Sequence, residues 1–246
     1  MRVHFGSRLL ALALVLSLFT SLSMIAAEEE PDSKTVEDRL AEYGEIVRAR
    51  LEPQFQAAGV AYPPARLTFV AVKDEKRLEV HAADAGGEFR FVCTYPVLAA
   101  SGVTGPKLRE GDRQVPEGVY CLRELNPNSR FHLSLWIDYP SSFDRARALE
   151  EGREDPGGEI MIHGGAASRG CLAVGDPGAE DLFVLAALTG VDNVTVVLAP
   201  VDFRIRSLDQ MPQGAPAWLS GVYDEVKTEL ARYVRPREES PQVSSM

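Results

Sequence analysis

An α+β domain with a β-rich middle and helices at both ends is predicted by three observations. Alternating or continuous β-branched runs recur between residues 66 and 198, an apolar period of three and four residues precedes them, and a second such period follows them. The chain has 246 residues, 45% of them apolar and 25% charged, which is ordinary globular composition.

At the N-terminus, Arg2 and Arg8 precede an apolar stretch over 9–19, followed by Ser21, Ser23, Ala26 and Ala27. This reads as a secretory signal peptide over 1–27. The stretch is short for a bilayer span and is followed at once by Glu28, Glu29 and Glu30, so cleavage without lasting membrane insertion is expected. With no Cys nearby, a lipid anchor is unsupported. Residues 28–64 form an acidic leader and a helix carrying Leu40, Ile46, Val47, Leu51 and Phe55 on one stripe, stopped by Gly59 and by the stiff Tyr62-Pro63-Pro64 connection.

The central domain is placed at 65–200. Strands are expected over 67–72, 78–82 and 89–95, joined by turns at 73–76 and 84–87. Two more, over 118–125 and 132–139, are separated by Asn126-Pro127-Asn128-Ser129. Residues 101–118 carry Gly102, Gly105, Pro106, Gly111, Pro116 and Gly118, too broken for a regular element, and read as a functional loop. A short buried strand at 160–162 follows. Asp176 as cap and Pro177 at the first helical position then open a helix that Gly190 stops near Thr189. After a strand at 194–198, the extension 201–235 places Trp218, Leu219, Val222, Val226, Leu230 and Tyr233 on one helical face, and 236–246 reads as a disordered tail.

The formal net charge of −10 argues against a polyanionic partner, so no nucleic acid is expected. Three cysteines in a disulfide-permissive compartment leave one over. Cys93 and Cys121, both in strand-like sequence, can pair across neighbouring strands or remain two buried thiols; Cys171 is the odd one.

The chemistry concentrates in 161–171, where His163 and Cys171 are joined by small residues and three glycines. Such a segment can fold back on itself, the imidazole can take the thiol proton, and Arg169 can add positive potential. Gly170 permits unusual torsions, so the amides of Gly170 and Cys171 can converge on an oxyanion, which points to acyl transfer through a thioester. The Gly164 carbonyl can fix the ring tautomer. The plain alternative is a small packed Cys beside a satisfied His. One His and one Cys fall short of a zinc site, and neither metal nor cofactor is expected.

His163-Gly164 followed by Ser168-x-Gly170-Cys171 resembles the signature of the L,D-transpeptidase catalytic domain, the YkuD-like family, and its close spacing is most similar to the YafK-like branch. Tyr95-Pro96, Ser101-Gly102-x-x-Gly105-Pro106-Lys107, Gly111-Asp112, Pro116-Glu117-Gly118-x-Tyr120, Ser129-Arg130-Phe131, and Tyr139-Pro140 with Asp144-Arg145 also match it. The resemblance covers roughly 66–198 and implies an L,D-transpeptidase-like sandwich or barrel core. It implies Cys171 as nucleophile, His163 as base, Gly164 as the orienting carbonyl, and Gly170 with Cys171 as oxyanion amides. Ser168 and Arg169 would line the site. The commoner pattern has a second His before the Gly-Cys and an Arg two residues after it, where this chain has Arg169 and Ala173. The Cys that some YafK-like sequences carry after His-Gly is also missing near Ala166.

The resemblance implies a periplasmic acyl-transferring enzyme of L,D-transpeptidase type acting on peptidoglycan stem peptides at meso-diaminopimelate, whose acceptor, an amine or water, the sequence leaves open, the YafK-like branch looking like the hydrolytic side. The alternative is a hydrolase releasing a peptidoglycan-linked lipoprotein. A binding module with an inactive pocket and a structural envelope protein are the competing readings. Lys107 and Tyr139 are further candidates for substrate contact, Lys107 with Arg109 against a carboxylate and Tyr139 with Asp144 and Arg145, with solvated loop cations or a structural corner as the alternatives. His81 is expected on a solvated strand face, and His132, sharing a face with Trp136, either packs or lines a groove.

Overall fold

The computed structural model describes residues 33–236; the expected signal peptide and all but the first residue of the expected tail lie outside them. Helix α1 (Val36–Ala58) starts in a capping box between Thr35 and Asp38, buries Val47, Leu51 and Phe55, and ends at Gly59 in the left-handed region, φ 71°. No described helix is long and apolar enough to cross a membrane.

Nine strands follow: β1 (Arg66–Val72), β2 (Arg77–Ala83), β3 (Arg90–Pro96), β4 (Ala99–Ala100), β5 (Gly118–Ser129), β6 (His132–Ile137), β7 (Met161–His163), β8 (Leu172–Ala173) and β9 (Val194–Ala199). They form one mixed sheet in the order β3-β2-β1-β9-β5-β6-β7-β8-β4. The sheet curls because β5 serves two neighbours. Its first four residues pair with β9 and the rest with β6, across two register shifts. This is the β-rich α+β core with terminal helices that the sequence predicts.

Both faces of the sheet are covered. Helices α1 and α3 (Asp176–Thr189) pack on one face against Phe69, Leu78, Val80, Leu135, Ile162 and Val196. Helix α4 (Leu219–Leu230) lays Leu219, Val222, Tyr223, Val226 and Leu230 over Val70, Val72, Val197 and Ala199 on the other. Residues β-rich enough to be buried on both faces explain the continuous apolar runs in β1 and β9.

Four details differ from the sequence reading. Strand β5 runs through Asn126-Pro127-Asn128 to Ser129, so the turn lies at Arg130-Phe131. Helix α2 (Ser142–Glu150) carries no apolar stripe, only Ala148 being buried; its signal is the capping box of Ser141 with Asp144. Cys93 and Cys121 sit on β3 and β5, with β2, β1 and β9 between them, so they cannot pair, and all three thiols are free. His81 is buried, its Nε2 2.8 Å from Glu79 Oε2, because β2 is covered on both faces.

Candidate active site

The site is built on β7, which pairs antiparallel with β6 (Ser134 opposite His163, Trp136 opposite Met161) and parallel with β8 (His163 opposite Ala173). Alternation sends Leu135, Ile162 and Leu172 into the core and leaves Ser134, His163 and Ala173 as one row on the other face. One pair earlier in the same register, Cys171 comes beside Met161. His163 and Cys171 thus occupy adjoining rows of one sheet face, a placement that the seven intervening residues do not by themselves reveal.

His163 is 1% exposed. Its Nδ1 donates to Gly164 O at 2.6 Å; since a carbonyl can only accept, this assigns the proton to Nδ1 and the lone pair to Nε2. Burial pulls the imidazole below its ordinary value and the Gly164 bond only partly opposes it, so the ring rests neutral at neutral pH. Phe131, in the β5–β6 turn, stacks on it with ring centroids 4.5 Å apart and planes 27° off parallel. Gly164 permits this closeness: a Cβ there would lie 2.5 Å from Asp176 Oδ1 and 2.6 Å from Phe131 O. Asp176, expected as the cap, is instead the first residue of α3, behind the cap Gly175, and accepts the Gly165 N–H at 2.8 Å.

Cys171 is partly exposed, and its Sγ donates to Glu159 O at 3.4 Å. Burial pushes the thiol up; the Met161 amide opposes this, the Glu159 charge adds to it, and Lys107 offsets part. Burial thus favours a resting protonated thiol over the expected thiolate sharpened by Arg169, and the cation whose field opposes this slightly is Lys107. Arg169 is exposed on the preceding loop.

A serine pair clamps that loop. Ser168 Oγ donates to Cys171 O at 2.7 Å and accepts from Ser101 N at 3.1 Å, while Gly170 N donates to Ser101 Oγ at 2.6 Å. Ser101 Oγ in turn donates to Arg113 O at 2.8 Å. The Gly170 amide, expected as an oxyanion donor, is thus engaged by Ser101. Gly170 itself, at φ 110°, has Gln114 O 3.2 Å from where a Cβ would stand. In the sequence Ser101 stands out as the first residue of the broken loop and of a matching block, but not as the partner of Gly170.

The remaining candidates hold that loop. Lys107 is 5% exposed, its Nζ bonded to Asp112 Oδ1 at 2.8 Å and Arg109 O at 3.0 Å, so its charge is paired inside the loop. Tyr139, also buried, donates to Lys107 O and Pro156 O, and Asp144 caps α2, which makes this region a structural corner. Arg145 is exposed. At the loop's base Lys73 Nζ reaches Val103 O, Val115 O and Glu117 Oε1, and Tyr223 of α4 donates to Glu117 Oε2 at 2.6 Å. His132 packs, its Nε2 3.1 Å from Glu180 Oε1 and its ring edge-on to Tyr43. Among the described residues no group of three or more His, Cys, Asp or Glu could hold a metal ion.

A curled mixed sheet thus sets a His-Gly strand beside a Gly-Cys segment, and over about half of its length the chain is similar in sequence to a protein named as an L,D-transpeptidase. Over 133 residues it is 34% identical to the Escherichia coli K12 protein named "Putative L,D-transpeptidase YafK", a match over 52% of this chain and 51% of that protein; the chain thus matches about half the length of its curated relative. No family model matches. Among solved structures, it is similar to the helical cell shape determining protein Pgp2 from Campylobacter jejuni (16% identity, 68% of this chain and 70% of that one, TM-score 0.45). It is also similar to L,D-transpeptidase 1 from Mycobacterium tuberculosis (12% identity, 55% and 62%, TM-score 0.33). Both are distant overlays.

Proposed function

We propose that the protein is an extracytoplasmic cysteine acyl-transferring enzyme of L,D-transpeptidase type, acting in the periplasm on peptidoglycan stem peptides at meso-diaminopimelate. The observation that carries this reading is the shared face of His163 and Cys171, with Nδ1 tied to Gly164 O so that Nε2 is left as the proton acceptor. As Cys171 Sγ attacks the amide carbon, its proton passes to His163 Nε2 and an S–C bond forms. The tetrahedral intermediate then collapses: the C–N bond breaks, the imidazolium returns the proton to the leaving amine, and a thioester remains. A second amine, or water, attacks the thioester, losing its proton to His163 and releasing the sulfur. Because thiol and imidazole rest neutral, proton transfer accompanies attack. The Cys171 amide is the backbone donor assigned to the oxyanion; the Gly170 amide joins it if Ser101 Oγ turns aside. Ser168 and Arg169 flank the nucleophile, and exposed Arg169 is the group that can meet a substrate carboxylate.

The test is incubation of the purified protein with diaminopimelate-containing muropeptides, alone and carrying a lipoprotein-derived peptide, with products and protein adducts resolved by mass. An acyl adduct on Cys171, absent from Cys171→Ala, is expected. Cross-linked dimers identify transfer, and released lipoprotein peptide without dimers identifies the hydrolase. No adduct and no product discards the enzyme.

A further inference from the structure

The position of Phe131 relative to the proposed base is not explained by packing of the core. Its ring is 44% exposed, yet the imidazole beneath it is 1% exposed, so the phenyl group stands between His163 and solvent. Three separate features hold it there. Phe131 N donates to Ser129 Oγ at 3.1 Å, closing the turn. His132 takes a left-handed φ of 72° and is anchored outward on Glu180 and Tyr43, which directs the preceding residue over the site. Gly164, lacking a Cβ, lets the Phe131 carbonyl and the His132 Cβ come close to the His163 backbone. A large apolar side chain left half in water, on a strained turn, is a costly arrangement for a surface loop.

We propose that Phe131 is the positioning residue of this site: stacked on the imidazole, it holds the plane of His163 and keeps water from it. Substrate then approaches the base from the Cys171 side, because the opposite face is closed. The proposal rests on the reading of His163 as the base, but its structural content can be measured without turnover. The titratable groups on the elements packed against it are Cys171 ahead of β8, His132 in the turn, Asp176 at the start of α3 and Glu159 ahead of β7, but what shifts the imidazole is burial and the Gly164 carbonyl.

The experiment is an NMR titration of the His163 ring in the purified protein, assigned with His163→Gln, for wild type, Phe131→Ala and Phe131→Leu. Removing the ring hydrates the imidazole, so its midpoint in Phe131→Ala should rise by about half a pH unit, while Phe131→Leu, which still covers the ring, stays near wild type. An unmoved midpoint in Phe131→Ala, with the wild-type amide spectrum otherwise retained, overturns the proposal. If wild type forms no acyl adduct, the enzyme reading fails while the ring titration still decides the role of Phe131.

Discussion

At the scale of single residues, the site depends on atoms that are missing as much as on those present. Gly164→Ala would place a methyl group 2.6 Å from the Phe131 carbonyl, a backbone atom that cannot swing away. The strand must shift, and a displacement approaching 1 Å of a reacting group costs about 100-fold in rate. Gly164→Ala is therefore expected to keep its fold and lose about that factor in Cys171 acylation, read by mass-resolved adduct formation. The protonation states lead to a second prediction. With the thiol raised and the imidazole lowered by burial, the resting pair is uncharged. The rate of alkylation by iodoacetamide should therefore climb with pH and inflect above the ordinary thiol range. A plateau already reached near pH 6 would mean a preformed ion pair and contradict the neutral assignment. The His163 and Cys171 residues were legible from sequence because glycines flank both. Phe131 was visible only inside a matching block, since no periodicity says which exposed aromatic lies over which ring.

At the scale of elements, the loop over 101–118 is less a lid than a braced part of the site. Its base is fixed by Lys73, whose Nζ takes Glu117 Oε1 and three carbonyls, its middle by Asp112 around Lys107, and its start by Ser101 on Gly170. Glu117 also joins it to α4 through Tyr223, so the terminal helix touches the chemistry at one remove. Removing only the Ser101 hydroxyl should loosen the Cys171 turn: Ser101→Ala is expected to lower the acylation rate about tenfold while costing about 1 kcal/mol of stability, and Ser101→Thr to restore part of the rate. Acylation kinetics alongside urea unfolding separates the two effects. The broken pattern of Gly and Pro marked this segment as a loop, and the long periodic strands and terminal helices were equally legible. Helix α2 was not, because a helix lying on the surface with one buried alanine has no stripe to read. The two-residue strands β4 and β8 were not either, since edge pairing of that length is decided by neighbours far away in sequence. Nor was the full burial of His81 visible, because alternation along β2 cannot announce that Tyr233, past the end of α4, and Phe91 close over its ring while Arg204 meets its partner Glu79.

At the scale of the whole molecule, each face of the sheet is locked by a buried carboxylate, and the two are tuned in opposite directions. On the α1–α3 side Asp181 accepts from Tyr95 at 2.9 Å and from Arg50 Nε at 2.9 Å, yet burial outweighs these bonds and raises it to about 6. On the α4 side Glu79 is also penalised by burial, but its bonds to His81 and Arg204 prevail and bring it down to about 2. The linkage signs follow. Between its unfolded value of 3.8 and about 6, Asp181 holds more protons folded than unfolded, so its contribution is greatest in acid and falls as pH rises through that window. Glu79 contributes fully above 4.5 and loses that contribution as pH drops toward about 2. Each shift of roughly two units corresponds to about 3 kcal/mol as an upper bound. Urea unfolding at pH 3, 5 and 7 should therefore show stability highest near pH 4 to 5. Asp181→Asn should remove the decline toward pH 7, leaving Arg50 its partner Glu180 at 2.9 Å. Glu79→Gln should be destabilised by about 3 kcal/mol at pH 7, where it strands Arg204 against Asp202 alone, and by much less at pH 2. Equal slopes in wild type and Asp181→Asn would mean that the α1–α3 junction hydrates its carboxylate, and that the packing of α1 on α3 is looser than the buried Tyr95–Asp181–Arg50 contact requires.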